Sequence, residues 1–199
     1  MRVALIFNFI LLLVTTSNSQ KLHKSRFEYG WAFMHPYAAI HVKKIYKNTI
    51  MIYKGPENKL VLDSLESGGK LDAYRHVLFM AAFSQKIKAK KIRKLGIAHE
   101  KGNKHMHYKK KMEHGFLPDS IDTVMDLHNN ELGIRIGSEN KSLNYTELSN
   151  KVIKSLLEGE GIVTKRNNQG KFTDCNGEVL EQEELVQWNN KKCLIRSNE

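Results

Sequence analysis

Leu71-Asp72-Ala73-Tyr74-Arg75-His76-Val77-Leu78-Phe79-Met80-Ala81-Ala82 decides the fold class of this chain. Tyr74, Val77, Leu78, Ala81 and Ala82 recur at the spacing of one helical face, so the stretch predicts a buried helix from about Leu71 to Lys88. Asp72 suits its first turn, after Ser67-Gly68-Gly69. Asp72, Arg75 and His76 stand at i, i+3 and i+4, which share one side of a helix. A helix cap and an i, i+3 ion pair explain Asp72 and Arg75. They explain His76 poorly, because an apolar run follows it directly, and a polar face opening onto a core must find partners there.

Downstream, Asp126-Leu127-His128-Asn129-Asn130 repeats the same i, i+3, i+4 layout. It sits in a predicted helix that Pro118 and Asp119 open and that Ile121, Val124, Met125 and Leu132 turn toward the core. Two consecutive asparagines inside a helix ask for a reason, because the Asn amide competes for the backbone. Gly133 and Gly137 permit close packing or a stop. Between the two copies lies His99-Glu100, at the end of a predicted helix from Lys90 to Glu100. It is not a zincin motif, since Asn103 stands where the second histidine belongs. Asp72, Arg75, His76, His99, Glu100, Asp126, Asn129 and Asn130 are therefore the candidate catalytic residues. Among them His76, His99, Glu100 and Asp126 are the candidate metal ligands. Imidazole with carboxylate suits zinc, manganese or iron. Arg75 suits the neutralisation of a phosphoryl oxygen.

The remainder follows from these helices. Pro36 suits a first helical turn, with Ala38, Ala39, Val42, Ile45 and Tyr46 at helical spacing. Residues 20–33 read as an irregular lead and Gly55-Pro56-Glu57-Asn58 as a turn. Lys101–Gly115 reads as a loop, and Leu148, Val152, Ile153, Leu156 and Leu157 as a further helix. Ile162-Val163-Thr164 and Lys171-Phe172-Thr173 flank Asn167-Asn168-Gln169-Gly170, which predicts a β-hairpin. The expected fold is mainly α: a single helical domain of about five helices over residues 20–160, with a small β-hairpin-containing appendage over 161–199.

Residues 1–19 read as a signal peptide. A basic start precedes an apolar run from Val3 to Val14, then small polar residues up to Ser19. The run is too short to span a bilayer, which takes about 20 residues. Cleavage near Ser19 predicts an exported protein, periplasmic or extracellular. Export permits a bridge between Cys175 and Cys193. The net charge of +11 is local. Lys86, Lys88, Lys90, Lys91, Arg93, Lys94, Lys101, Lys104, Lys109, Lys110 and Lys111 face a single acid, Glu100, and the rest of the mature chain is neutral. Such a patch suits anionic surfaces or nucleic acid as partners.

Over roughly residues 35–160 the chain resembles an uncharacterised family of secreted bacterial domains, a domain of unknown function. The resemblance lies in Asp72-Ala73-Tyr74-Arg75-His76, then His99-Glu100, then Met125-Asp126-Leu127-His128-Asn129-Asn130-Glu131-Leu132-Gly133. It implies a largely helical domain with a polar centre. The order His, His-acid, Asp across helices is also similar to HD-type metal phosphohydrolases, with Glu100 where that family has aspartate. The expected function is that of an exported, metal-dependent hydrolase acting on phosphoester bonds of a small-molecule or polyanionic substrate. Two alternatives stand beside it: a non-catalytic envelope or polyanion-binding module working through the patch 86–111, and a secreted antibacterial toxin or effector.

Overall fold

The computed structural model describes residues 25–112 and 115–199. The signal-peptide reading of residues 1–19 lies outside the described residues. Eight helices and one two-stranded sheet make up the described chain: α1 (Arg26–Met34), α2 (Pro36–Tyr53), α3 (Pro56–Val61), α4 (Lys70–Ser84), α5 (Ala89–Tyr108), α6 (Ser120–Glu139), α7 (Tyr145–Leu157), β1 (Ile162–Thr164), α8 (Gln182–Leu185) and β2 (Leu194–Arg196). The mainly α reading of the sequence is correct. Among the described residues no helix is long and apolar enough to cross a membrane.

The stretch that decided the fold class is the centre of the molecule. Every residue of α4 from Leu71 to Ser84 is buried except Arg75. Helix α6 packs on it more extensively than any other element does. The two helices run in the same direction. Gly133 lies over the Val77 carbonyl and Gly137 over the Ala81 carbonyl, where any Cβ would collide with backbone. The glycines thus let the two backbones approach closely. Helix α7 contributes Leu148, Val152 and Leu156 to the same core, and α2 contributes Ile45.

Four expectations need correction, the first being that Gly55-Pro56 opens helix α3 rather than a turn. The lead before Pro36 is helical, because Ser25 and Glu28 form a capping box that starts α1. Its Trp31 is buried and donates its indole N–H to the Lys91 carbonyl at 2.9 Å. The stretch from Lys101 to Tyr108 belongs to α5 rather than to a loop, and the helix runs without a break through Gly96. Tertiary partners hold that extension: His107 Nδ1 lies 2.7 Å from the Pro118 carbonyl, and its ring packs edge-on against Trp188. Finally, β1 pairs antiparallel with β2, in the register Ile162↔Arg196, Val163↔Ile195, Thr164↔Leu194. The expected reversal at Asn167–Gly170 is present and closes the antiparallel bridge Arg166↔Phe172, while Thr173 bridges Val179; only the partner of Ile162–Thr164 differs.

The tail after Gly161 is stitched to the helices at several points. Thr164 donates both its amide and its hydroxyl to the Gly68 carbonyl, each at 2.8 Å. Ser197 donates to the Leu156 carbonyl at 2.6 Å. Cys175 and Cys193 are joined in a disulfide, which ties together the loop that carries Trp188, Asn190 and Lys192.

Candidate metal centre

The two i, i+3, i+4 faces meet. Because α4 and α6 run parallel, Asp72 and His76 on one helix come opposite Asp126 and Asn130 on the other. Asp72 is buried at the start of α4. Its Oδ2 accepts the Gly68 amide at 2.7 Å and its Oδ1 accepts Arg75 Nη2 at 2.6 Å. His76 Nδ1 lies 3.2 Å from Asn130 Oδ1. A carboxamide oxygen only accepts, so Nδ1 carries the proton. The other nitrogen, Nε2, lies 3.2 Å from Arg75 Nη2, which only donates. Nε2 therefore presents a lone pair.

Two carboxylate oxygens stand near the same nitrogen. Nε2 is 3.2 Å from Asp126 Oδ1 and 3.7 Å from Asp72 Oδ1. Asp126 Oδ1 is buried and receives no hydrogen bond among the described residues. Ligand atoms of Asp72, His76 and Asp126 all lie within 4.8 Å of one another. Burial pushes the Asp126 carboxyl well above its ordinary range; Glu100 and Asp72 push the same way, and Arg75 only partly opposes them. Asp72, His76 and Asp126 thus form a buried group of one nitrogen and two carboxylates, of the kind that can hold a metal ion.

A small cleft borders the cluster on the side of Asp72 and Asp126. Its empty volume is about 370 Å³, its open side included, and it is lined by Glu66, Asp72, Arg75, Glu100, Asp122 and Asp126 among others. Glu100 is buried there, with Oε2 accepting Asn103 Nδ2 at 3.2 Å. Of the four ligands expected from sequence, the structure brings together His76 and Asp126 and adds Asp72. Glu100 stands by in the cleft outside that group. His99 does not join either, because adjacent helical residues diverge by about 100°. Its Nδ1 instead lies 3.4 Å from Glu28 Oε1, with its ring centroid 6.4 Å from that of His76. Burial alone would raise the Glu28 carboxyl, but His99 and Ser25 together hold it below its ordinary value.

The same divergence separates the paired asparagines. Asn130 orients His76. Asn129 is turned to the tail, donating to the Ile162 carbonyl at 2.9 Å and accepting the Ile162 amide at 3.1 Å. It fixes β1 and takes no part in the cluster.

Sequence reasoning missed Lys192. Its ammonium is 2 % exposed and lies 2.6 Å from Asp119 Oδ2 and 2.9 Å from Asp122 Oδ1. Asn190 donates to Asp119 Oδ2 at 2.6 Å. Asp119 also caps α6, accepting the amides of Ile121 and Asp122. Burial pushes the Asp122 carboxyl up to about 7, against the pull of Lys192 and with the help of Asp119. A lysine beside Cys193, some 70 residues from its partners, leaves no local sign in the sequence.

Residues 29–160 match the family described as Domain of unknown function (DUF6973). The chain belongs to that family. No curated protein and no solved structure matches it. The three clustered residues, with Arg75, His99, Glu100 and Asn130, all lie inside the DUF6973 span. Glu28, Asn190 and Lys192 lie outside it and are supplied by the flanks of this chain.

Proposed function

We propose that this protein is an exported hydrolase that acts on phosphoester bonds with the help of one divalent ion held by Asp72, His76 and Asp126. A single observation carries the reading: the buried Asp126 Oδ1, which accepts no hydrogen bond among the described residues, lies in one group with ligand atoms of His76 and Asp72, all within 4.8 Å of one another. A nitrogen and two carboxylate oxygens suit zinc, manganese or iron. Such an ion, when bound, lowers the pKa of a coordinated water toward neutrality and so supplies a nucleophile. The other roles belong to the chain's own groups. Asn130 fixes the tautomer and direction of His76. Arg75 lines the cleft and is placed to draw in an anionic phosphoryl oxygen. Glu100, in the same cleft, is the group within reach for proton transfer. His99 is oriented by Glu28 as a proton relay at the edge of the cluster rather than as a ligand. Export is supported by the apolar Val3–Val14 run in the sequence and by the Cys175–Cys193 bridge, which persists in oxidising compartments.

The test is elemental analysis of the purified protein, followed by hydrolysis of p-nitrophenyl phosphate and bis(p-nitrophenyl) phosphate. Expected are one transition-metal ion per chain, ester cleavage that chelator removes and added Mn or Zn restores, and loss of both metal and cleavage in His76→Ala. Absence of metal from the isolated protein, with no thermal shift on adding Mn or Zn, would end this reading.

A further inference from the structure

The outer face of α5 is a row of exposed lysines, met only at its C-terminal end by Trp188, whose ring lies under Lys104 and against Tyr108. Lys90, Lys94, Ile97, Lys101, Lys104 and Tyr108 alternate at steps of four and three, so they form one stripe. All six are exposed. At 1.5 Å per residue the stripe is about 27 Å long. The other sides of α5 are occupied: Ile92, Gly96, Glu100 and Asn103 are buried, and Ala98 packs with Trp31 of α1. Lys86 and Lys88 extend the stripe at one end, and Lys109, Lys110 and Lys111, also exposed, extend it at the other.

The charge on this face is not neutralised within the fold. Glu100, the one acid between residues 86 and 111, is buried on the opposite side. Glu131 of α6 reaches α5, but it takes Arg93, with Nη2 2.7 Å from Oε2. Among the described residues no carboxylate pairs with Lys90, Lys94, Lys101 or Lys104. Like charges at i, i+3 and i+4 repel and weaken a helix. A surface that keeps them together is matched in charge to an anion of comparable length.

We infer that this stripe docks the protein on an anionic lipid surface. Ile97 is 40 % exposed in the middle of the lysines, and Tyr108 and Met112 are 66 % and 68 % exposed at its end. Apolar side chains among lysines fit a headgroup layer, where lysine stems lie along apolar surface while their ammonium groups stay with the phosphates. A nucleic-acid surface is built differently, with arginine forks and open aromatic planes for bases. Here the one arginine of α5, Arg93, is held by Glu131. The inference is independent of the metal centre and does not need hydrolase activity.

The experiment is cosedimentation of the full chain with vesicles of phosphatidylcholine, alone or with about one-third phosphatidylglycerol. The N-terminal segment is the same in every variant, so the comparison between the lysine variants below isolates the stripe's share of the anionic increment. Each lysine near such a surface contributes about fivefold. Lys90→Gln/Lys94→Gln/Lys101→Gln is expected to cut the anionic increment about a hundredfold. Lys43→Gln/Lys141→Gln/Lys151→Gln, which removes the same charge from exposed sites elsewhere, is expected to leave it within about twofold. The increment should also fall steeply with salt. No increment on anionic over neutral vesicles overturns the inference, as does equal loss in both triple variants. Displacement of the vesicles by duplex DNA or RNA at a lower concentration than by soluble phosphatidylglycerol would assign the face to nucleic acid and overturn it as well.

Discussion

Asp126→Asn separates a working site from a structural ion pair, because the two readings give opposite signs. In the metal-free protein Asp126 is buried, accepts no hydrogen bond at Oδ1 and has its carboxyl pushed up by burial, Glu100 and Asp72. A carboxyl raised on folding keeps its proton to a higher pH in the folded chain than in the unfolded one. Folded stability therefore declines as pH rises from the unfolded value, 3.8, through the raised folded value. Asparagine has the same shape and no charge to bury, and its amide donates to the His76 Nε2 lone pair. We expect the metal-free variant to gain about 1–2 kcal/mol at pH 8, an increase in Tm of about 3–6 °C, and to show a flatter pH dependence than the parent. With Zn or Mn at about a hundredfold over Kd the parent should gain about 2.7 kcal/mol, and the variant nothing. Thermal melts from pH 5 to 8, with and without metal, read all of these quantities. Had Asp126 been there to hold His76 in a structural pair, its removal would cost about 3–5 kcal/mol at neutral pH. A loss of that size, with the metal-induced shift intact, would refute the reasoning.

Three further outcomes follow from the packing. Gly137→Ala forces a Cβ into the Ala81 carbonyl, and backbone cannot step aside as a flexible side chain would; a loss of about 3 kcal/mol in urea denaturation is expected. Lys192→Ala leaves Asp119 and Asp122 buried without their counter-ion, which should cost about 3–5 kcal/mol at pH 8. That loss should shrink toward pH 5 as Asp122, already raised to about 7, takes up its proton. Replacing Cys175 and Cys193 together by serine opens a loop of sequence separation 18 and should cost about 3 kcal/mol; a loss below about 1 kcal/mol would show that the tail is held by its hydrogen bonds alone.

The parts of this molecule that the sequence made legible are those set by local periodicity. The apolar run of α4 and the entry of α6 at Asp119 are both written within a few residues of where they act. The polar faces of α4 and α6 could be read for the same reason, since i and i+4 share a side on any helix. Long-range decisions could not be read. Nothing near Asn129 says that its amide serves Ile162 while Asn130 next door serves His76. His99 looked like a ligand because it adjoins Glu100, and Glu28, from the far end of the chain, takes it instead. The helical turns from Lys101 to Tyr108 lack an apolar period, and partners such as Trp188 and Pro118 stabilise them from elsewhere in the chain.

The geometry of the centre has its cause one and two turns further along α6. Asp126, Asn130, Gly133 and Gly137 lie on one face of that helix, the face laid against α4. Toward its C-terminus the seam is backbone against backbone, with no side chain between Gly133 and Val77 or between Gly137 and Ala81. Two parallel helices held that close cannot separate much within two turns. At the N-terminal end the gap is therefore narrow enough for short side chains, aspartate and asparagine, to reach across to Asp72 and His76. The parallel course then matches the two i, i+4 steps, so that Asp72 faces Asp126 and His76 faces Asn130. The paired motif and the paired glycines are one device: close packing at one end sets the spacing of the Asp72–His76–Asp126 cluster at the other.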